Sequence, residues 1–224
     1  MNKRRVTIAD FVGDIIRTNA DYIVEPVPHL RPIPVVLVSG YARAGKNTFA
    51  EGMIRKSRKF DGLLVETSFA AELKSAANAY LEELDTLTPS TDFFEESFKN
   101  KYRNALVELG RMSRDIDKDI FAKRVANRIL DMSDLYGRDV PFVVTDWRYL
   151  NEYRFLRDRL EPRGFRVVTV RIDTAGILPS NDEELHSLAE IRRNMAPDKE
   201  FVFAPNNRDA IIAEGERFAA ELGL

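Results

Sequence analysis

The sequence predicts a three-layer α/β/α fold on a parallel sheet of about five strands. Three observations predict it. Short apolar, β-branched runs alternate with stretches of helical period, which is the pattern of right-handed βαβ units. One run, Val35-Val36-Leu37-Val38, enters a glycine-bearing turn that leads straight into a helical pattern. Two polar segments, Ser68 to Lys74 and Asp146-Trp147-Arg148, follow other predicted strands, and the carboxyl ends of such strands are where these sheets bind ligands.

Composition narrows the function classes. Charged residues make up 31% and hydrophobic residues 44% of the 224, ordinary values for a globular protein. A formal net charge of −2 gives no case for a nucleic-acid or membrane partner. The absence of cysteine excludes disulfides, thiolate chemistry and cysteine zinc sites, and fits a cytoplasmic setting. No apolar stretch approaches the length of a membrane span, and Asp10 and Asp14 interrupt any signal-like run.

Taken in order, residues 1–33 read as an amphipathic helix (Ile8, Phe11, Val12, Ile15, Ile16 on one stripe) and a proline-rich connector. Residues 34–224 read as the main domain. After its first strand come Gly40-Tyr41-Ala42-Arg43-Ala44-Gly45-Lys46-Asn47-Thr48, then Phe49, Met53 and Ile54 on one helical face. Strand, glycine loop, lysine and helix are the context of a phosphate-binding P-loop. Glycines let successive amides face an anion, the helix adds its dipole, and Lys46 adds a point charge for the outer phosphates. Serine or threonine usually follows the lysine and ligates Mg²⁺; here Asn47 follows, a neutral amide ligand.

Leu63 to Thr67 is the second predicted strand, and a helix follows to about Leu84 with Leu73, Ala77 and Leu81 inward. A long helical region from about Phe93 to Arg114 turns Ala105, Leu106, Leu109 and Met112 inward, with Gly110 either weakening it or admitting a close neighbour. Asp119 is placed to cap a helix carrying Ile120, Phe121, Val125 and Ile129. Pro141 to Thr145 is a buried strand ending at Asp146, and Pro162 and Gly164 end the helix after it. Phe165 to Ile172 is a strand, Ser180 to Glu183 a capping box, Phe201 to Phe203 a short strand, and Ala210 to Leu222 the closing helix.

A P-loop beside an acidic strand end is apparatus for phosphoryl transfer, which needs positioning and charge neutralisation. Lys46, Asp146 and Arg148 are the catalytic candidates. Asp146 and Asn47 are the candidates to hold Mg²⁺, and Arg148 can clamp a phosphate bidentately. Alternatively, Asp146 caps the next helix and Arg148 pairs with Glu152 on the surface. Lys74, Arg111, Arg114, Arg171, Arg192 and Arg193 are the cations available to an acceptor carrying its own phosphate, and residues 173–198 could close as a lid.

From the glycine loop onward the chain resembles the bacteriophage-type deoxynucleoside monophosphate kinases. The resemblance rests on SGYARAGKNT, SFAAELK, ELGRMSRDIDKDIF, VVTDWRYLNEYRFLRD, HSLAE and Pro205-Asn206-Asn207. Asp146, Arg148, Asn151 and Glu152 match the family's Asp-x-Arg followed by Asn-Glu. Asn47 departs from its usual aspartate, and Arg111 from its usual threonine. The resemblance implies a P-loop kinase fold with a helical monophosphate-binding insert at about 69–136 and the 173–198 lid. It implies transfer of the γ-phosphoryl group of ATP, with Mg²⁺, to a (deoxy)nucleoside 5′-monophosphate. Gly40 to Thr48 would hold the ATP phosphates, with Asn206 and Asn207 near the adenine. Phe69, Lys74, Arg111, Arg114, Arg148, Glu152, Arg171 and Glu190 would face the acceptor. The setting would be cytoplasmic, the host's if phage-encoded; oligomeric state, including a homodimer, stays open. Two other readings stand beside this one. The first is a P-loop kinase for another small acceptor, such as a coenzyme precursor or a nucleoside. The second is a nucleotide-dependent binding or switch protein with little turnover.

Overall fold

The structure, a computed structural model, describes residues 31–59, 62–136 and 140–224. The chain divides into two units between Arg31 and Pro32. The helix expected near the N-terminus lies outside the described residues.

Five parallel strands form the sheet: β1 (Ile33–Ser39), β2 (Val65–Thr67), β3 (Phe142–Val144), β4 (Phe165–Thr174) and β5 (Lys199–Phe203). Their order across the sheet is β2-β3-β1-β4-β5. The chain leaves β1 on one side and returns to its other side, so the topological switch lies at the carboxyl end of β1. Both neighbours of β1 hold it in parallel register, Val36 opposite Val143 and Val168.

Side chains alternate across β1, so each face of the sheet acquires its own core. Val35 and Leu37 join one cluster with Phe142, Val144, Phe121, Val125, Leu156 and Leu188. Those helical residues come from α5 (Ile120–Tyr136), α6 (Leu150–Leu160) and α7 (Asp182–Asn194). Val36 and Val38 join the other, with Phe49 and Met53 of α1 (Lys46–Arg58) and Phe218 of α8 (Arg208–Glu221). Helices α1 and α8 meet backbone to backbone. A Cβ on Gly52 would fall 2.2 Å from the Ile212 carbonyl oxygen, and one on Gly215 would fall 2.2 Å from that of Phe49. The approach also brings together the rings of Phe49, Phe201 and Phe218 at 5.3–5.9 Å.

The stretch between β2 and β3 is helical: α2 (Phe69–Glu83), α3 (Glu96–Lys101), α4 (Arg103–Ile116) and then α5. It has a small core of its own, Ala77, Phe93 and Leu106, with Leu73, Leu81, Phe98 and Leu109 against it. The single helix expected over 93–114 is broken at Tyr102, whose backbone (φ −110°, ψ 24°) leaves the helical region. The break stacks Phe98 against both Phe93 and Tyr102, at 5.0 and 4.7 Å. Ala105 and Met112, expected inward, are exposed. The buried stripe of α4 is Leu106 and Gly110, because Gly110 admits Leu73 of α2, whose Cδ2 lies 3.1 Å from where a Cβ would stand.

At the C-terminal end, β4 and β5 run two residues longer than their apolar cores. Asn181, not Ser180, caps α7, accepting the Glu184 N–H. Asn207 caps α8, which therefore starts before Ala210. Residues 173–198 form the β4–α7–β5 crossover, and Leu188 and Ile191 of α7 are buried in the sheet core.

Gly215→Ala tests the α1–α8 contact. Alanine is the better helix former by about 1 kcal/mol, yet its methyl group has no room here. We expect a net loss of about 1–3 kcal/mol from overpacking, read as a lower urea midpoint at unchanged m-value.

Candidate functional site

The glycine loop sits at the switch point. Gly40 (φ 142°) and Gly45 (φ 95°) adopt left-handed backbone, and a Cβ on Gly40 would lie 2.1 Å from the Ile172 carbonyl oxygen of β4. Only glycine lets the loop turn back over β4 there. Arg43 is also left-handed (φ 65°), and the Ala44 N–H closes a turn onto the Tyr41 carbonyl at 3.1 Å. Lys46 folds under the loop, its Nζ donating to the Gly40 and Tyr41 carbonyls at 2.7 Å each. Burial and the nearby Arg148 bring the Lys46 ammonium down to about 8, opposed by Glu184 and Asp146.

The amino end of α1 has no side-chain cap and no acidic residue in its first turn. Helices α2, α7 and α8 each have both, α6 has Glu152 in its first turn, and α4, like α1, has neither. The first amides of α1 are thus left for a partner outside the helix. Asn47 is exposed there, while the Thr48 hydroxyl accepts from Arg208 at 3.4 Å. Beside the loop, Arg43, Gly45, Thr48, Asn206 and Asn207 line a cleft of about 370 Å³.

Across the rim, Asp146 follows β3. Its Oδ1 accepts the Phe69 N–H and its Oδ2 the Ala70 N–H, both at 2.8 Å. It therefore caps α2 rather than the helix that follows it in sequence. Burial raises its pKa, while the two amides, Arg148 and Lys46 pull it back. Each oxygen keeps a second lone pair for a cation or a water. The expected Arg148–Glu152 pair does not form. Glu152 is buried and accepts the Arg148 and Tyr149 N–H groups at 3.0 Å, so it caps α6. Burial, with Asp146 adding to it, pushes Glu152 up to about 8 against those two hydrogen bonds. The Arg148 side chain is exposed, with no hydrogen bond or ion pair among the described residues.

Two further expected cations face this rim. The Arg114 guanidinium lies between the rings of Phe121 and Tyr149, at 5.1 and 4.9 Å. Lys74 places its Nζ 5.2 Å from the Phe94 ring centre; burial lowers its pKa, with Lys99 adding to this and Glu96, Asp146 and Asp92 opposing.

Other expected residues are engaged elsewhere. Arg111 is exposed and pairs with Glu108 at 2.7 Å. Arg171 pairs with Glu200 on the adjacent strand and with Asp173 at 3.4 Å. Arg192 binds Asp173 at 2.9 Å and lies over the Tyr41 ring. Glu190 is exposed and its carboxylate makes no hydrogen bond or ion pair among the described residues. The Phe69 ring is buried in the sheet core; its N–H, not its ring, serves the rim.

Sequence reasoning missed Glu184. This carboxylate is 2% exposed and accepts the Ala42 N–H at 2.8 Å with one oxygen, and the Ser180 N–H and hydroxyl at 2.7 and 2.6 Å with the other. Burial works to raise its pKa, but those hydrogen bonds and Arg148 outweigh it, and the net shift is downward. Its neighbour Glu183 accepts the Tyr149 hydroxyl. Among the described residues no group of three or more histidine or acidic side chains converges as a metal cage. No helix of these residues is long and apolar enough to cross a membrane.

No protein-family model and no curated protein sequence matches the chain. Three solved structures overlie it. An APS kinase from Mycobacterium tuberculosis is 14% identical, with 87% of this chain and 100% of that one covered at a TM-score of 0.46. APE1195 is 12% identical, with 86% and 98% covered at 0.45. A candidate kinase from Chloroflexus aurantiacus is 10% identical, with 88% and 100% covered at 0.43. The sheet order and the loop after β1 themselves define the P-loop α/β/α architecture of this chain.

Glu152 gives a pH test. From about pH 4.5 to about 8 the folded protein holds a proton there that the unfolded chain releases, so stability falls as pH rises through this window. Glu152→Gln keeps an acceptor for both amides and removes the titration. Unfolding free energies from urea titrations at pH 5 to 9 should match the wild type near pH 5 and exceed it near pH 9 by on the order of 2 kcal/mol; parallel curves would refute the assignment.

Proposed function

We propose that the chain is an ATP-dependent phosphotransferase and that its acceptor is a (deoxy)nucleoside 5′-monophosphate. One observation carries the reading. Four cations around the rim, Lys46, Arg114, Lys74 and Arg148, are not spent on a carboxylate. Lys46 is held by carbonyl oxygens, Arg114 lies between rings, Lys74 lies over a ring, and Arg148 is unpaired. Arg111, Arg171 and Arg192, expected beside them, are all ion-paired.

The uncapped amides of α1 and Lys46 suit the outer phosphates of ATP, and the cleft at Asn206 and Asn207 suits its base. Asn47 and Asp146 would hold Mg²⁺, supplying one neutral oxygen ligand and one carboxylate. Mg²⁺ commonly takes only one or two carboxylates and completes its shell with phosphate oxygens and water. The ion would neutralise charge on the phosphoryl oxygens. Arg148, Arg114 and Lys74 line the side reached from the helical insert, and Arg148 can meet a phosphate bidentately. A nucleoside monophosphate brings the dianion that these three cations would seat. The wall of Phe94, Tyr149 and Phe121 beside them offers apolar surface to a sugar or base.

ADP formation from Mg–ATP across the ribo- and deoxynucleoside monophosphates tests this. At least one should turn over well above hydrolysis by water. Lys46→Ala should lower kcat/KM by about 100-fold or more, and Arg148→Ala should mainly raise the acceptor KM, by about tenfold or more. Silence across the panel with turnover of a nucleoside or coenzyme precursor would reassign the acceptor. Tight ATP binding with no transfer to any acceptor would favour the switch reading.

A further inference from the structure

The first turn of α7 reaches the glycine loop through a buried carboxylate. Glu184 is 142 residues from Ala42 in sequence, yet its Oε1 accepts the Ala42 N–H at 2.8 Å. The other oxygen is satisfied twice by Ser180, so the carboxylate is fixed from both ends. A carboxylate this buried is retained only where its hydrogen bonds are complete, and here the loop supplies one of them. Glu183, the preceding residue, accepts the hydroxyl of Tyr149, whose ring packs on Arg114. A single helical turn thus touches the loop on one side and the cationic cleft on the other.

We propose that Glu184 is a positioning residue: it pins the crest of the glycine loop at Ala42, and so makes the loop's shape depend on the turn at residues 180–184. Ala42 lies between the two glycines, both of left-handed backbone. Within the loop the Ala44–Tyr41 turn and the Lys46 contacts to Gly40 and Tyr41 involve carbonyl oxygens, not the Ala42 amide. From outside the loop, Thr174 donates to the Ala44 carbonyl at 2.9 Å and Arg192 lies over the Tyr41 ring, but it is Glu184 that takes the Ala42 amide. It touches neither reacting group, so its effect passes through the loop's geometry. The part of the inference that concerns ATP rests on the proposed function; the part that concerns the loop does not.

The full chain, ¹⁵N-labelled, tests both parts. In Glu184→Ala, exchange of the Ala42 amide with solvent should speed up by about tenfold or more, while amides in the middle of α8 keep their protection. The dissociation constant for Mg–ATP, measured by calorimetry, should rise by about tenfold or more, a ground-state loss larger than the loss in kcat. Glu184→Gln should recover much of both, since its oxygen still accepts from Ala42 while its NH₂ group can turn to the Ser180 hydroxyl. Asp182→Asn, a charge lost from the same turn at an exposed position, should change neither. Unchanged Ala42 exchange in Glu184→Gln and in a folded Glu184→Ala protein would overturn the proposal. So would acceleration shared equally by α8, which marks global destabilisation. If wild-type protein fails to bind ATP while Ala42 exchange still responds to Glu184→Ala, the tether stands and the nucleotide reading falls.

Discussion

The site depends on a missing methyl group. Gly40 passes so close to β4 that any side chain would meet the Ile172 carbonyl oxygen, and its backbone is one that only glycine adopts cheaply. From that crossing the loop returns over the end of β1, which lets Lys46 fold beneath it and leaves the first amides of α1 facing outward. The central position of β1 makes this possible. Held in register by a strand on each side, β1 delivers Gly40 to a fixed point on the rim. The α1–α8 contact through Gly52 and Gly215 holds the helix behind the loop just as firmly.

How the rim distributes its charges follows a second constraint. Asp146 and Glu184 are acidic groups in a cationic cleft, and simple ion pairing would let them cancel Lys46 and Arg148; Glu152, pushed up to about 8, has no charge to pair at neutral pH. Each is instead held by backbone amides: Asp146 by Phe69 and Ala70, Glu152 by Arg148 and Tyr149, Glu184 by Ala42 and Ser180. Backbone donors hold a carboxylate in place without consuming a side-chain cation. The acids build helix ends and loop shape, and the cations keep their hydrogen-bonding capacity. Farther from the rim this separation ends: Arg171, Asp173, Arg192 and Glu200 pair with one another.

Features whose causes are close in sequence were legible; those made by distant partners were not. Strand, glycines, lysine and helix occur within Val35 to Arg58, and their order alone fixes the loop's chemistry. The strand positions likewise followed from short continuous apolar runs. Capping was legible only to within a residue, because Ser180-x-x-Glu183 and Asn181-x-x-Glu184 have the same spacing, and the choice between them turned on Glu184 being required by Ala42. Periodicity placed Arg111 and Arg114 on one face of α4 and could not separate them. Gly110 does, since its contact with Leu73 rotates Ala105, Arg111 and Met112 toward solvent and leaves Arg114 against Phe121 and Tyr149. The alternative in which Asp146 caps the next helix fails because its amides come from residues 77 and 76 positions away.

That last contact joins the two halves of the cleft. Helix α2 opens the insert that carries Lys74, and its start is satisfied by Ser68 within the segment and by Asp146 from β3. Asp146 therefore sets where this helical stretch begins. A change in the charge carried by Asp146, whether by protonation or by a bound cation, alters the strength of two helix-capping hydrogen bonds at once. The helices between β2 and β3 have a small core of their own around Phe93 and Leu106, while Phe69 of α2 and Phe121 of α5 anchor them in the sheet core. Asp146 thus ties the carboxyl end of β3 to the start of the helix that carries Lys74 by two hydrogen bonds.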